Sequence, residues 1–177
     1  MSVDITKILG ALGSERTQTA AHLRYVERVL ARDYPSDPIV PLDQPFIDAR
    51  GVIQNLVLGS FTSSAIISSK VQTVRANHWH RTDWHFSYVV SGEVWYYERE
   101  ITEEDKMSDR EGTLKKLVVP AGQMFFTPPR VAHAMAFPVD TAFITFSKNV
   151  REHDTHEEDV VRVPFIDPVA VWKDLNR

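Results

Sequence analysis

Between Val52 and Ser147 the chain reads as a succession of short β-type segments, and that run limits what it can fold into more than any other feature. The segments are VIQNLVLG (52–59), SAIISSKVQTV (64–74), FSYVVSG (86–92), EVWYYERE (93–100), LKKLVV (114–119), QMFFT (123–127), HAMAF (133–137) and AFITFS (142–147). They are rich in Val, Ile, Phe, Tyr and Thr, and Gly, Pro, Asp or Ser mostly separates them. Short strands at such close spacing predict an all-β sandwich or barrel. Ser91-Gly92, between two strong segments, is a hairpin signal. The charged stretch ITEEDKMSDREGT (101–113) breaks the pattern and is expected as an exposed loop.

The flanks read differently. Residues 15–32 carry Ala20, Leu23, Val26, Val29 and Leu30 on one stripe, which predicts an amphipathic helix. Ser14 is its expected N-cap, with Glu15 in the first turn, where the helix dipole favours an acid. His22 is expected to be a partly exposed histidine on the helix face. DYPSDPIVPLDQ (33–44) holds three prolines and reads as a linker. After Lys148 the tail is charged until DPVAVWKDL (167–175), where Asp167 and then Pro168 predict the start of a short C-terminal helix. The expected organisation is an N-terminal helical extension and linker (1–45), a β-barrel (46–148) and a C-terminal tail packing on it (149–177).

Composition excludes several classes of function. The 177 residues include 20 Lys+Arg against 24 Asp+Glu, a net charge of -4. Nucleic acids and anionic membranes call for concentrated positive charge, so neither is an expected partner; a small-molecule substrate is. There is no cysteine, so disulfides and thiolate metal sites are excluded. The N-terminus does not read as a signal peptide, and no stretch approaches the roughly 20 apolar residues that span a bilayer. A soluble, cytoplasmic protein is expected.

The chemistry-bearing residues are histidines. Three of the seven fall in NHWHRTDWH. His78 and His80 are two apart, so on a strand both rings share a face. His85 follows after RTDW, long enough for a bend that returns a third ring to that place. His133 opens a later strand, after the corner TPPRVA. A lone buried histidine usually just finds a hydrogen bond. Four converging inside a barrel make an all-nitrogen site for one divalent transition metal, since neutral imidazole is the commonest protein metal ligand. Such ligands suit Zn, Fe, Ni or Cu. Alternation puts Ser87 and Val89 on the face of His85 and Met135 on that of His133, and Tyr96 is the candidate pocket phenol across the hairpin. His153 and His156, in REHDTHEED, read as a solvated charged tail rather than a second metal site.

Both parts of the histidine pattern resemble the motifs of the cupin superfamily. His78-Trp-His80-Arg-Thr-Asp-Trp-His85, with Gly92 to follow, is similar to the first motif, and Gly122-QMFFT-Pro128-Pro-Arg130-Val-Ala-His133 to the second. The resemblance implies a cupin-type double-stranded β-helix, or jelly-roll barrel, with a metal on His78, His80, His85 and His133; it adds Mn to the candidate metals and implies a homodimer. Three positions depart from the pattern. The usual Glu is His85, which leaves the ion's charge uncompensated by its ligands and favours an anionic substrate. The usual Gly is Arg130, so that turn must be made without glycine. The usual Asn is Phe137.

A second resemblance concerns the substrate. Asp48-Ala-Arg50-Gly51, and later Thr73-Val-Arg75-Ala-Asn77-His78-Trp-His80, look like the opening of cupins that epimerise or isomerise nucleotide-linked sugars. That implies Arg75 as a phosphate contact, and an ion that polarises a sugar carbonyl or hydroxyl; with Tyr96 and Met135 from the strand alternation, Arg75 completes the expected substrate-binding residues. Taken alone, Asp48-Ala-Arg50-Gly51 also reads as a turn with an ion pair, and Arg75 as a strand-edge charge. Three functions stand at this point: a metal-dependent carbohydrate isomerase or epimerase, an Fe- or Mn-dependent dioxygenase, and a non-catalytic small-ligand-binding cupin. No residue is assigned as the catalytic base.

Overall fold

The structure, a computed structural model, describes residues 17–56, 59–102, 104, 114–150, 157–163 and 165–173. Ser14, Glu15, His153, His156 and nearly all of the 101–113 loop lie outside these residues. The chain divides between Ser60 and Phe61 into two compact units.

The first unit holds helix α1 (Thr17–Leu30), the short strand β1 (Ile39–Val40), and a hairpin of β2 (Phe46–Asp48) and β3 (Gly51–Ile53). Leu23, Val26 and Val29 are buried along the expected stripe, whereas Leu30 is exposed. The stripe is rotated toward His22 and Tyr25, which are buried too, so the expectation of a partly exposed His22 fails. His22 Nδ1 lies 2.9 Å from the Pro41 carbonyl oxygen. Arg32 ends the helix at φ 63, where its amide donates to the Val29 carbonyl and that of Asp33 to the Arg28 carbonyl. The expected linker thus includes β1, and among the described residues of 52–59 only Val52 and Ile53 are strand. Asp48-Ala-Arg50-Gly51 is a turn with an ion pair: Arg50 Nη2 lies 2.6 Å from Asp48 Oδ2, and Gly51 takes φ 135.

The second unit is two antiparallel sheets. Its strands are β4 (Ser63–Ser69), β5 (Thr73–His80), β6 (His85–Ser91), β7 (Glu93–Glu100), β8 (Lys115–Pro120), β9 (Met124–Thr127), β10 (Val131–Phe137), β11 (Thr141–Ser147) and β12 (Val160–Arg162). One sheet runs β9-β6-β11-β4 and the other β12-β5-β10-β7-β8. The chain passes back and forth between them, which makes the jelly-roll double-stranded β-helix. Ser91-Gly92 is therefore no hairpin, because β6 and β7 belong to different sheets. Gly92 turns that corner at φ 81, and a Cβ there would collide with the Thr141 hydroxyl and the Asp140 carbonyl. The run 64–74 is likewise two strands, split by a turn with Gln72 at φ 58.

Two features of the tail extend the barrel. Residues 160–162 join the second sheet beside β5 instead of only packing on it. The expected helix at 167–175 is, among the described residues, a 3-10 turn at Ala170–Trp172. Asp167 does cap it, since its Oδ1 accepts from the amides of Val169 (2.7 Å) and Ala170 (3.2 Å). The turn brings Trp172 and Ile166 onto Tyr97, Ala134 and Ala136, which makes the outer face of β7 and β10 a dry core. No helix among the described residues is long and apolar enough to cross a membrane.

Candidate active site and metal centre

Alternation on β10 decides which residues reach the interior. Ala134 and Ala136 face the outer cluster, so His133, Met135 and Phe137 face inward. On β5 the same rule would set Arg75 and His78 on opposite faces. A bulge corrects it: His133 pairs with His78 and Ala134 with Ala76, so one step on β10 spans two on β5. Ala76 and Asn77 make the bulge at φ 66 and 57. Asn77 holds it, with Nδ2 donating to the Ile166 carbonyl (2.9 Å) and Oδ1 accepting from the Ile166 amide (3.1 Å). Tail and bulge thus hold each other, and His78 and His80 both turn inward.

Three of the four predicted histidines, His78, His80 and His133, bring their ring nitrogens together, and His85 lies beside His80. Ring centroids are 4.7 Å apart for His78–His80 and His78–His133, 4.5 Å for His80–His85, 5.6 Å for His80–His133 and 6.1 Å for His85–His133. Imidazoles bonded to one ion at about 2.0–2.1 Å would have centroids roughly 5 Å apart, so the spacings among His78, His80 and His133 suit one ligand set. His78 Nε2 and His80 Nε2 are 3.1 Å apart. Two nitrogens on one tetrahedral ion would be separated by about 3.3 Å. One ring nitrogen each from His78, His80 and His133 falls within 4.8 Å of the others, and His80, Asp83 and His85 form a second such group sharing His80.

Acceptors around the cluster set the tautomers. His80 Nδ1 is 3.0 Å from Asp159 Oδ2, His133 Nδ1 is 3.2 Å from the Val131 carbonyl oxygen, and His85 Nδ1 is 3.4 Å from Asp83 Oδ2 and 3.1 Å from Ser147 Oγ. A carboxylate or carbonyl oxygen only accepts, so Nδ1 of His80 and of His133 carries the proton and their Nε2 atoms keep the lone pair. This is the outer-shell arrangement that orients metal-binding histidines. Burial pushes the Asp159 carboxyl up, but the Thr82 hydroxyl, the Thr82 amide and His80 together hold it below the ordinary value. It is therefore an anion at neutral pH. Thr82 supplies two of those bonds, each 2.8 Å long. Asp83 is buried and accepts from the amides of Trp84 (3.0 Å) and Asn149 (2.8 Å), which fastens the bend between His80 and His85.

Arg130 shows how the second motif manages without glycine. It sits at φ 59. Its amide donates to the His80 carbonyl (2.8 Å), its Nη2 to the Thr102 carbonyl (2.8 Å), and its guanidinium lies 5.5 Å from the Trp79 ring. These contacts offset a left-handed cost of about 1–2 kcal/mol. Phe137 stacks on Phe143 at 5.9 Å, so the interior beyond the site is apolar where an amide was usual.

Arg75, Met135 and Tyr96 lie directly opposite one another across β5, β10 and β7, one inward row from His133. Tyr96 is buried, donates to Thr127 Oγ1 at 3.1 Å and stacks 6.4 Å from the His133 ring. Met135 is half-buried, and Arg75 is exposed, with Nε donating to Ser69 Oγ (2.7 Å) and Nη2 to the Ser68 carbonyl (2.8 Å). The guanidinium thus clasps β5 to β4 and is no loose edge charge. Ser87 and Val89 are buried on the inward face of β6, as alternation predicts. Sequence reasoning missed Asp159, Asp83 and Ser147. Asp159 had one signal, an acid directly before the β-type run Val160-Val161 in a tail otherwise read as solvated. Glu98, buried opposite His133 and paired with Lys115 at 3.1 Å, was missed as well.

No family model matches the sequence, and neither does any curated protein. Solved structures do share the fold. The dTDP-4-dehydrorhamnose 3,5-epimerase from Sulfolobus tokodaii superposes with a TM-score of 0.58 at 18% identity, over 71% of this chain and 77% of that one. The epimerase of the same name from Bacillus anthracis, solved with TDP and PPi bound, gives 0.55 at 15% identity, over 70% and 77%. QdtA, a sugar 3,4-ketoisomerase from Thermoanaerobacterium thermosaccharolyticum in complex with TDP, gives 0.53 at 12% identity, over 71% and 85%. At such identities the likeness is one of fold.

Proposed function

We propose that this jelly-roll barrel is a carbohydrate epimerase or isomerase whose substrate class is a sugar nucleotide, and that His78, His80, His85 and His133 hold one divalent transition metal (Zn, Fe, Mn, Ni or Cu) at the reaction site. The observation that carries the reading is the inward cluster itself: His80 and His133 have Nδ1 held by protein acceptors, which leaves their Nε2 atoms, beside His78 Nε2, for a shared electrophile. Fold neighbours that are sugar-nucleotide epimerases and a ketoisomerase support the substrate class.

A bound ion would supply Lewis acidity toward a sugar carbonyl. The remaining roles belong to the chain. Met135 gives the sugar ring an apolar wall, and Tyr96, held by Thr127, sets a phenol beside it. Arg75, opposite Met135 on β5, meets the diphosphate. Asp159 keeps the His80 ring in one orientation.

The His80–Asp159 contact of 3.0 Å favours a second reading at the same site, without an ion. In it, His80 Nε2 takes the proton from the carbon next to the ketone, and the imidazolium, held by Asp159, returns a proton to that carbon. One experiment separates the two. Solvent deuterium uptake into a dTDP-4-keto-6-deoxy sugar is followed in anaerobic D2O, before and after chelation. Uptake that chelation abolishes and one equivalent of metal restores supports the metal site; uptake that survives chelation supports His80 as base. A strict requirement for oxygen would reject isomerisation and leave the dioxygenase, and no turnover with any such ketone would leave the binding module.

A further inference from the structure

Among the described residues the buried carboxylic acids are Asp83, Glu98 and Asp159. Two of them stand behind imidazoles: Asp159 Oδ2 lies 3.0 Å from His80 Nδ1, and Asp83 Oδ2 lies 3.4 Å from His85 Nδ1. Glu98 stands elsewhere. It is two residues from Tyr96 on β7, so it shares that residue's inward face, and its strand partner is His133. Side chains of residues paired in this way leave the sheet about 4.5–5.5 Å apart. Glu98 and Tyr96 on β7 therefore face His133 and Met135 on β10 across one inward patch.

Stability gives little reason for an acid at this position. Lys115 Nζ lies 3.1 Å from Glu98 Oε1, but the lysine side chain is 51% exposed while that of Glu98 is 10% exposed. An ion pair with one wet member contributes little, and the buried carboxylate carries its desolvation cost. Chemistry gives a better reason, because the patch otherwise lacks a base. His80 and His133 have Nδ1 protonated and Nε2 turned to the cluster, and a lone pair shared with an ion cannot also take a proton. The Tyr96 phenol donates to Thr127 Oγ1, and the Arg75 guanidinium is a donor only. Glu98 is the remaining group of the patch that can accept a proton.

We infer that Glu98 is the catalytic base and that it carries a proton between neighbouring carbons of a keto sugar, an inference that rests on the metal-site reading above. A Glu98 carboxylate oxygen takes the proton from the carbon beside the ketone. The C–H electron pair becomes the new C=C bond, and the carbonyl π pair moves onto its oxygen. The Glu98 carboxyl then returns that proton to the former carbonyl carbon on the same face, while the hydroxyl proton passes from the one oxygen to the other. The ketone has moved by one carbon, and no oxidant or reductant is consumed. One acid on one wall serves both transfers, so the position of Glu98 selects ketoisomerisation; epimerisation needs a proton from the opposite face.

The test compares the metal-loaded wild type with Glu98→Gln, Glu98→Ala and Lys115→Met on a dTDP-4-keto-6-deoxy sugar in anaerobic buffer. Glu98→Gln is expected to lower kcat on the order of a thousandfold, the range of a lost acid–base group. KM, TDP affinity by calorimetry, metal loading and the melting curve are expected to stay as in the wild type. Lys115→Met breaks the ion pair but keeps the carboxylate, so its kcat is expected to fall less than about tenfold, short of the loss of an acid–base group. Formate is expected to restore turnover to Glu98→Ala, and a substrate deuterated beside its ketone to carry part of the label to the former carbonyl carbon. Near-normal turnover in Glu98→Gln overturns the inference and leaves the metal-site reading standing. Loss of metal from Glu98→Gln, equal losses of stability and turnover in Glu98→Gln and Lys115→Met, or a folded Glu98→Ala inert to formate also overturns it. A wild type that turns over no such ketone overturns the functional reading itself, and the base with it.

Discussion

Strand β10 carries two chemistries on alternate residues. Outward, Ala134 and Ala136 meet Tyr97, Ile166 and Trp172 in a dry cluster with no polar function. Inward, His133 and Met135 border three more imidazoles and a phenol. The outer face is specified by volume, so its small alanines exist to admit large partners. The inner face is specified by direction, so its residues matter for where one nitrogen points and what holds the other. The two faces should therefore fail differently when mutated.

The largest expected effect is on the inner face. His80→Ala combined with His133→Ala should weaken metal affinity on the order of a thousandfold or more, beyond the 10–100-fold typical of losing an outer-shell partner. Competition with a chromophoric chelator measures this, and the melting curve should move little. On the outer face the pattern inverts: Trp172→Ala should cost about 3 kcal/mol in denaturant unfolding, the low end for a large buried aromatic, with metal affinity unchanged. If Trp172→Ala lowers affinity as much as the histidine pair does, the faces are not independent.

Asp159→Asn comes next. It keeps the shape but removes the anion that orients His80, so affinity should fall about 10–100-fold. The smallest effect is at His22, a buried imidazole outside the cluster. Burial lowers its pKa below the ordinary 6.5, against weaker upward pulls from the Pro41 carbonyl and Asp43. The unfolded chain then takes the proton first. Stability is fully present above pH 6.5 and declines as pH falls toward the lowered folded value. His22→Gln should flatten that part of the stability–pH curve, and an unchanged slope would show that His22 does not titrate on unfolding.

Much of the barrel was legible because its physics is local. Alternating β-branched and aromatic runs mark the strands, and His-x-His on a strand gives two rings on one face. What was hidden depends on contacts distant in sequence. Nothing near Ser91-Gly92 distinguishes a hairpin from a corner between sheets; that is settled by where Asp140 and Thr141 arrive. Asp159 reaches His80 across 79 positions of sequence. The bulge at Ala76-Asn77 has no glycine to announce it, since its left-handed residues are held by Ile166 from the tail. The rotated stripe of α1 was misjudged at His22 because a histidine on a helix is exposed more often than not, and only packing shows the exception.

The central proposal is that His78, His80, His85 and His133 share one metal ion, and X-ray absorption on the metal-loaded protein tests it most directly. One ion per chain, with a first shell of about four imidazole nitrogens at 2.0–2.1 Å, is the predicted result. A first shell of oxygen alone, or loading no greater than that of the His80→Ala, His133→Ala double variant, would contradict it.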